Sequence, residues 1–448
     1  MEKSRGTGDE KRKGQSHSRF WLGAIAGAFV TAFAGLLIVG MSAGIYLFGN
    51  RVMTRQPGIR TEGPAPSITD GKSRDTGVDF DRITSKMNLM DEIISQYFLY
   101  EENPLQVEDF IYRGMLAGLD DPYSAYYTAA DYTAMQEGTK GIYSGIGAMV
   151  SQNKETGLCS IMKVFAGTPA MEAGMKPGDV IYKINGRDVT GESLDVLVGT
   201  HIKGKPGSKV RITVLRSSEE EYRDFNLTRR KIEVPTVEYR MLDEKTGYLA
   251  VSEFDVITVS QFKAAVEALE QAGMKGLIID LRNNPGGILD SAVQMADYLL
   301  PDDNAAYPKG EGKTLLLYTA DKNGRGNQYI ASDGHQLDLP MAVLINGHSA
   351  SASEVFAGAL KDYDSAFLVG TVSYGKGIVQ NLIPLGDGSA MKITTAHYYT
   401  PSGFDLHGKG IKPDIQVELD EAFQTQAVIE LEKDNQVKAA AEALRGRQ

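Results

Sequence analysis

Residues 20–48 carry no charged side chain, and that stretch constrains where the rest of the chain can fold. About 20 apolar residues cross the hydrocarbon core of a bilayer, so this run is long enough to span with some tilt. A cleaved secretory signal has a shorter apolar core, roughly 7–15 residues, and a small-residue cleavage site. The pattern therefore predicts a retained signal anchor. Ahead of it, Lys3, Arg5, Lys11, Arg12, Lys13 and Arg19 outnumber Glu2, Asp9 and Glu10. The positive-inside bias keeps residues 1–19 in the cytoplasm and sends everything after the anchor across the membrane. Gly23/Gly27 and Gly40/Gly44 are each spaced to let two helices approach closely. The expectation is a single-pass protein of the cell membrane, forming a homo-oligomer, with its body outside the cytoplasm.

With 448 residues, the chain is too long for one ordinary domain. A net charge of −11, with no basic run after residue 19, excludes nucleic acid as the main partner. The single cysteine, Cys159, cannot form an internal disulfide, and no Cys/His cluster suits zinc. It lies in an apolar run and reads as a small buried hydrophobe. No metal or cofactor is expected.

Residues 49–76 are rich in Pro, Gly and Ser and read as a linker. Residues 77–136 turn helical: Ile83, Met87, Met90, Ile93 and Ile94 recur at steps of three and four, and Asp120-Asp121-Pro122 stops a second such stretch. Residues 137–232 hold short strand-like runs separated by turn signals such as Lys176-Pro177-Gly178-Asp179 and Asn185-Gly186, with one helix near 193–202. This is a compact, mostly β module. From 233 to 420, apolar strands alternate with helices, which predicts α/β layers with function at strand ends. Residues 421–448 close the chain, with a helix expected over 421–444.

The chemistry concentrates in two places. In Ser349-Ala350-Ser351-Ala352-Ser353-Glu354, small residues join an apolar strand to a helix. A serine there exposes its hydroxyl, and the following N–H groups, beginning with that of Ala352, suit an oxyanion. Three serines alternate with alanines, so composition does not choose among them, and the run also reads as a Ser-rich helix cap. A nucleophilic serine needs a base. Lys376 stands between Gly375 and Gly377, and Gln380 follows on an extended run, sharing a face with Lys376 and Ile378 if that run is a regular strand. To accept a proton near neutrality, the amine must titrate about 3 pH units below its ordinary 10.4, roughly 4 kcal/mol of desolvation or repulsion. That predicts a buried, apolar site with no carboxylate beside it. A second oxyanion donor is expected from Gly286 or Gly287, in the turn after Leu281.

Together with Gly114-Met115-Leu116-Ala117-Gly118-Leu119-Asp120-Asp121-Pro122-Tyr123-Ser124, Ser144-Gly145-Ile146-Gly147 and Pro177-Gly178-Asp179-Val180-Ile181, these motifs resemble the carboxyl-terminal processing proteases, Ser–Lys peptidases with a PDZ domain. The resemblance covers residues 80–445 in unbroken order. It implies an α/β core of the crotonase-like, ClpP-like ββα spiral type with an inserted PDZ domain. It also implies Ser351 as nucleophile, Lys376 as base and Gln380 as its support. The PDZ loop Ser144-Gly145-Ile146-Gly147 would capture a substrate's C-terminal carboxylate, with Leu194, Leu197 and Val198 lining the pocket for the last side chain. The partners implied are proteins with accessible C-termini.

Two other readings compete. A catalytically inactive PDZ scaffold at the membrane would be expected to have lost Ser351, Lys376 or Gln380. A Ser–His hydrolase using His348 lacks an acid in any visible motif to orient the imidazole.

Overall fold

The computed structural model describes residues 77–216, 221–423 and 429–446. The expected anchor at 20–48 and linker at 49–76 lie outside these residues. Among the described residues, no helix is long and apolar enough to cross a membrane.

The N-terminal region begins with α1 (Phe80–Tyr97), capped by the Asp79 side chain accepting from Arg82 N–H at 2.9 Å. No residue of α1 is buried. Helix α2 (Pro104–Ala117) starts at a proline behind the Asn103 cap. It ends before Asp120, which sits at φ 53°. The expected all-helical region is then interrupted by a short strand, β1 (Ala125–Tyr127), before α3 (Ala129–Thr139). Three residues give no periodicity to read; pairing with a distant strand makes β1 what it is.

The mostly β module is an insertion closed by an antiparallel ribbon of β2 (Ile142–Gly145) and β9 (Arg230–Glu233). Between them run β3 (Ala148–Gln152), β4 (Cys159–Val164), α4 (Pro169–Glu172), β5 (Asp179–Ile184) and β6 (Arg187–Asp188). Then come α5 (Leu194–Val196, continued by a π-helical turn, Leu197–Ile202), β7 (Lys209–Arg216) and β8 (Glu221–Thr228). The sheet order is β3-β4-β5-β7-β8. Asn185 and Gly186, both at positive φ, make the tight β5–β6 turn that the Asn-Gly pair predicts. Ile161, Ile181, Ile212 and Val214 fill the core, and Cys159 is buried there as expected. Arg216 forks onto Asp179 with two 2.7 Å contacts and ties the ends of β5 and β7.

The C-terminal core has two sheets. The first includes β10 (Val237–Met241), β11 (Thr246–Val251) and β12 (Gly276–Asp280), with α6 (Thr258–Gln271) before β12 and α7 (Leu289–Leu299) after it. The second is antiparallel and contains β13 (Leu315–Asp321) and β14 (Gln328–Ile330). The chain returns to the first sheet through β15 (Met341–Ile345), α8 (Ala352–Asp362) and β16 (Ala366–Gly370). It completes the second with β17 (Ile378–Pro384) and β18 (Ala390–Tyr399), then ends in β19 (Ile415–Gln416) and α9 (Asn435–Arg445). The first sheet runs β10-β11-β12-β15-β16-β19, parallel from β11 onward. Strands β12 and β15 are buried at every residue, which is why they read as continuous apolar runs.

Helix α9 covers one face of that sheet. It is shorter than expected and begins at 435, where Asp434 caps it by accepting from the N–H groups of Gln436 and Val437. The same Asp434, with Gln436, holds the Arg282 guanidinium, which also pairs with Asp280 at the end of β12. In the second sheet, β18 takes β17 along one edge, while β1 and β13 share the other. The core therefore closes only when residues from before the inserted module pair with residues from after it.

Candidate active site

Ser351 sits where the turn after β15 meets α8, at φ 55° and ψ −115°, a backbone conformation that non-glycine residues rarely hold. The structure separates the three serines. Ser349 Oγ donates to Leu281 O at 2.8 Å, and Ser353 Oγ donates to Asn284 O at 3.0 Å; both residues are fully buried. Ser351 alone remains partly exposed at the head of the helix.

Lys376 lies in the loop between β16 and β17 and is 2% exposed. Its flanking glycines are required by close approach. A Cβ on Gly375 would lie 2.8 Å from Gly410 N, and one on Gly377 would lie 2.8 Å from His407 N. Burial, then the charge of Lys392, lowers the amine's pKa to about 7; Asp121 and Glu354 oppose them. The expectation of no nearby carboxylate is thus corrected: two carboxylates act on the amine, and desolvation outweighs them. The Tyr123 ring centroid stands 4.4 Å from Lys376 Nζ.

Two side chains outside the predicted set bring Ser351 and Lys376 together. Glu354, 1% exposed, accepts at one oxygen from the N–H groups of Ser351 and Lys376, each at 2.8 Å. Its other oxygen accepts from Ser373 Oγ and Gly375 N–H, each at 2.6 Å. Burial raises this carboxyl's pKa, and those donors hold it back down. The Tyr398 hydroxyl contacts Ser351 O at 3.0 Å and also reaches Lys376 O. Glu354 had a readable signal, since Ser-x-x-Glu at a helix start is a capping-box pattern. Tyr398 had none.

Ala352 N–H and Gly287 N–H have no hydrogen-bond acceptor among the described residues. Gly286 is different: its N–H donates to Asn284 Oδ1 at 2.8 Å, so it is removed from the expected oxyanion donors. Gly286 is a spacer, because a Cβ there would lie 2.8 Å from Ser351 Cβ and 2.9 Å from Ala352 N. Gly287, at φ 137°, is pressed against the Phe254 carbonyl. Gln380 is buried, and its amide donates weakly to Ile378 O at 3.5 Å and Thr394 Oγ1 at 3.4 Å. Ile378 and Gln380 share the buried face of β17, since the irregularity beside them is an extra residue, Thr395, on β18; Lys376 itself precedes the strand, which begins at Ile378. His348 is exposed.

In the inserted module, Ser144 and Gly145 belong to the β2–β9 ribbon. The turn proper is Ile146, fully buried, and Gly147 at φ 84°. The Tyr143 phenol lies against the N–H groups of Gly147 and Ala148, and burial pushes it up to about 12. Leu197 is fully buried in the module's core, so it is removed from the expected pocket; Leu194 and Val198 are half-buried and remain. Elsewhere, Asp297, Asp302 and Asp333 bring three carboxylates within 4.8 Å, but Asp297 and Asp302 accept backbone N–H groups of the 332–334 turn.

Residues 245–417 match peptidase family S41, and residues 144–227 match a PDZ domain. A carboxyl-terminal-processing protease from Synechocystis is 35% identical over 78% of this chain and 80% of its own length. A probable CtpA-like serine protease from Staphylococcus aureus is 37% identical over 75% of this chain, which spans 64% of that relative. The solved photosystem II D1 C-terminal processing protease is 29% identical over 76% of this chain and 89% of its own, with a TM-score of 0.44. The fold is that of a serine-type peptidase core carrying a PDZ insertion. The chain belongs to the carboxyl-terminal-processing proteases of peptidase family S41.

Replacing Glu354 by Ala leaves two N–H groups on one side and an N–H and a hydroxyl on the other without their acceptor. The expected loss in unfolding free energy is at least about 3 kcal/mol, read by urea denaturation of the soluble body. A loss below about 1 kcal/mol would mean that the carboxylate does not organise this region.

Proposed function

We propose that the chain is a membrane-anchored serine endopeptidase that cleaves extracytoplasmic proteins with a Ser351–Lys376 dyad. One observation carries this reading: Glu354 and Tyr398 join the backbones of a partly exposed serine and a buried lysine whose amine titrates near 7. Neutral Lys376 takes the Ser351 hydroxyl proton as Oγ attacks the scissile carbonyl. The N–H groups of Gly287 and Ala352 hold the oxyanion. Lys376 returns its proton to the leaving amine, and water, activated by the same amine, then releases the acyl group from Ser351. Gln380, buried on the strand that follows the lysine loop, supports that loop.

Ser351→Ala and Lys376→Ala each abolish cleavage of an unstructured protein substrate, and the double variant is no worse than either, because the two act as a unit. The pH dependence follows from the base. Above its pKa of about 7 the amine is neutral and active; below, it is protonated and inert. kcat/KM therefore rises with pH through about 7 and levels off. A lysine variant retaining most activity, or a profile flat from pH 5 to 9, would sink the dyad.

The inserted module captures substrate C-termini, with the carboxylate received at the turn around Gly147 and the chain laid as a strand beside β3. Leu194 and Val198 then favour an apolar last residue. A free-acid peptide should bind the soluble body at least about tenfold tighter than its C-terminal amide, measured by calorimetry, since charged hydrogen bonds contribute about 1.5–3 kcal/mol. Equal affinities would remove the carboxylate from the recognition.

Residues 20–48 support the anchor, and the exposed Phe80, Leu89, Met90, Ile93 and Tyr97 of α1 support a homo-oligomer built through the N-terminal helices. Two measurements check the assembly: protease added to wall-stripped cells should digest the body, and sedimentation of residues 77–448 should give more than a monomer. Complete protection, or a strict monomer, would refute the corresponding half.

A further inference from the structure

Residues 121–127 form the one described stretch ahead of the inserted module that reaches the catalytic residues. Their conformation is well determined. Asp121 accepts from Tyr123 N–H at 3.0 Å and from Ser124 Oγ at 2.6 Å, which makes a tight Asx turn across Pro122. Ser124 Oγ in turn accepts from Thr394 N–H at 3.2 Å, and β1 pairs Ala125 with Lys392. The segment is thus latched to β18, the strand next to the one that carries Gln380. The result is a repeated contact. Tyr123 lays its ring on Lys376 at 4.4 Å, and Tyr127 lays its ring near Lys392 at 5.5 Å. Lys376 is 2% exposed, and Tyr123, whose ring lies against its amine, is half-buried.

We propose that Tyr123 is a positioning residue of the Ser351–Lys376 centre, its ring being the cover that keeps water off the lysine amine. The inference rests on the dyad reading above. It makes the peptidase a site built from both sides of the inserted module in the sequence.

Two effects of the ring oppose each other. Its face attracts a cation and so favours the protonated amine. Its bulk excludes water and so favours the neutral amine. The charged and titratable groups around Lys376 and the ring against it include Lys392 from β18, Asp121 from the turn, Glu354 from α8, the phenols of Tyr123 and Tyr398, and Tyr374, which is hydrogen-bonded to the Tyr123 phenol. Burial is the largest influence on the amine, ahead of all of these charges. The ring is part of that burial, and on this proposal its exclusion of water outweighs its attraction for the cation, so that its removal raises the pH at which the amine becomes neutral.

The test is the rate at which a fluorophosphonate labels Ser351 in the full chain in detergent, measured from pH 5 to 10. The parent should reach half its limiting rate near pH 7. Tyr123→Phe keeps the ring and should keep that midpoint. Tyr123→Ala should move it upward by one pH unit or more, lowering labelling at pH 7 by about fivefold or more, while the limiting rate at high pH stays near the parent's. A merely structural defect would lower the rate at every pH. Tyr123→Gln, larger than alanine but without a ring and polar, should move the midpoint the same way and keeps the readout if the alanine variant does not fold. An unmoved midpoint in both, or an equal move in Tyr123→Phe, overturns the role of the ring. Lys376→Ala run alongside separates the two readings: parent-like labelling there refutes the dyad itself, whatever Tyr123 does.

Discussion

The active region depends on one buried carboxylate. Glu354 is enclosed in the first turn of α8, where a charged group has little water to solvate it. It is tolerated because four donors converge on it, from Ser351, Ser373, Gly375 and Lys376. Glu354 and Lys376 are 22 residues apart, the first in the helix between β15 and β16 and the second in the loop that leads from β16 to β17. Sharing an acceptor fixes their relative position more firmly than packing alone. Ser373 extends the linkage, since its hydroxyl also accepts from Ile411 N–H at 2.7 Å. The segment that presses on Gly375 and Gly377 is therefore part of the same unit.

Around that unit the two sheets divide the work. The parallel sheet is a dry scaffold, with Leu277, Ile279, Val343 and Leu344 fully buried, and it presents Gly287 and Ser351 from neighbouring strand ends. The antiparallel sheet supplies the environment of the lysine through Gln380, Lys392, Tyr398 and, by way of β1, Tyr123. The low proton affinity of the Lys376 amine is built in this way. Its chemistry follows from the loss of water and from a second buried cation, Lys392.

The inserted module meets the core through the β2–β9 ribbon and through Val256 N–H donating to Thr139 O just ahead of it. Tyr143, on that ribbon, faces the turn expected to receive a carboxylate. Tyr143 therefore lies both on the ribbon that joins the module to the core and against the turn at Gly147.

Much of this was legible beforehand. Apolar runs at 276–281 and 341–345 read as strands, and Asn185-Gly186 announced a tight turn. Strand β1 was not legible, because three residues show no period, and neither was the late start of α9, which a tertiary contact of Asp434 with Arg282 helps to set. Period two placed Gln380 on the face of Ile378, where both are buried, but Lys376 lies ahead of the strand, where that count does not apply. The sequence alone determined the order of the elements and the residue types available to the chemistry, because propensity, apolar pattern and turn preference act over a few neighbours. Only the tertiary structure decided which serine is presented, which glycine N–H is left without an acceptor and how far the lysine's affinity for a proton falls. Each of those depends on which atoms from distant segments exclude water or offer a hydrogen bond, and no local pattern carries that information.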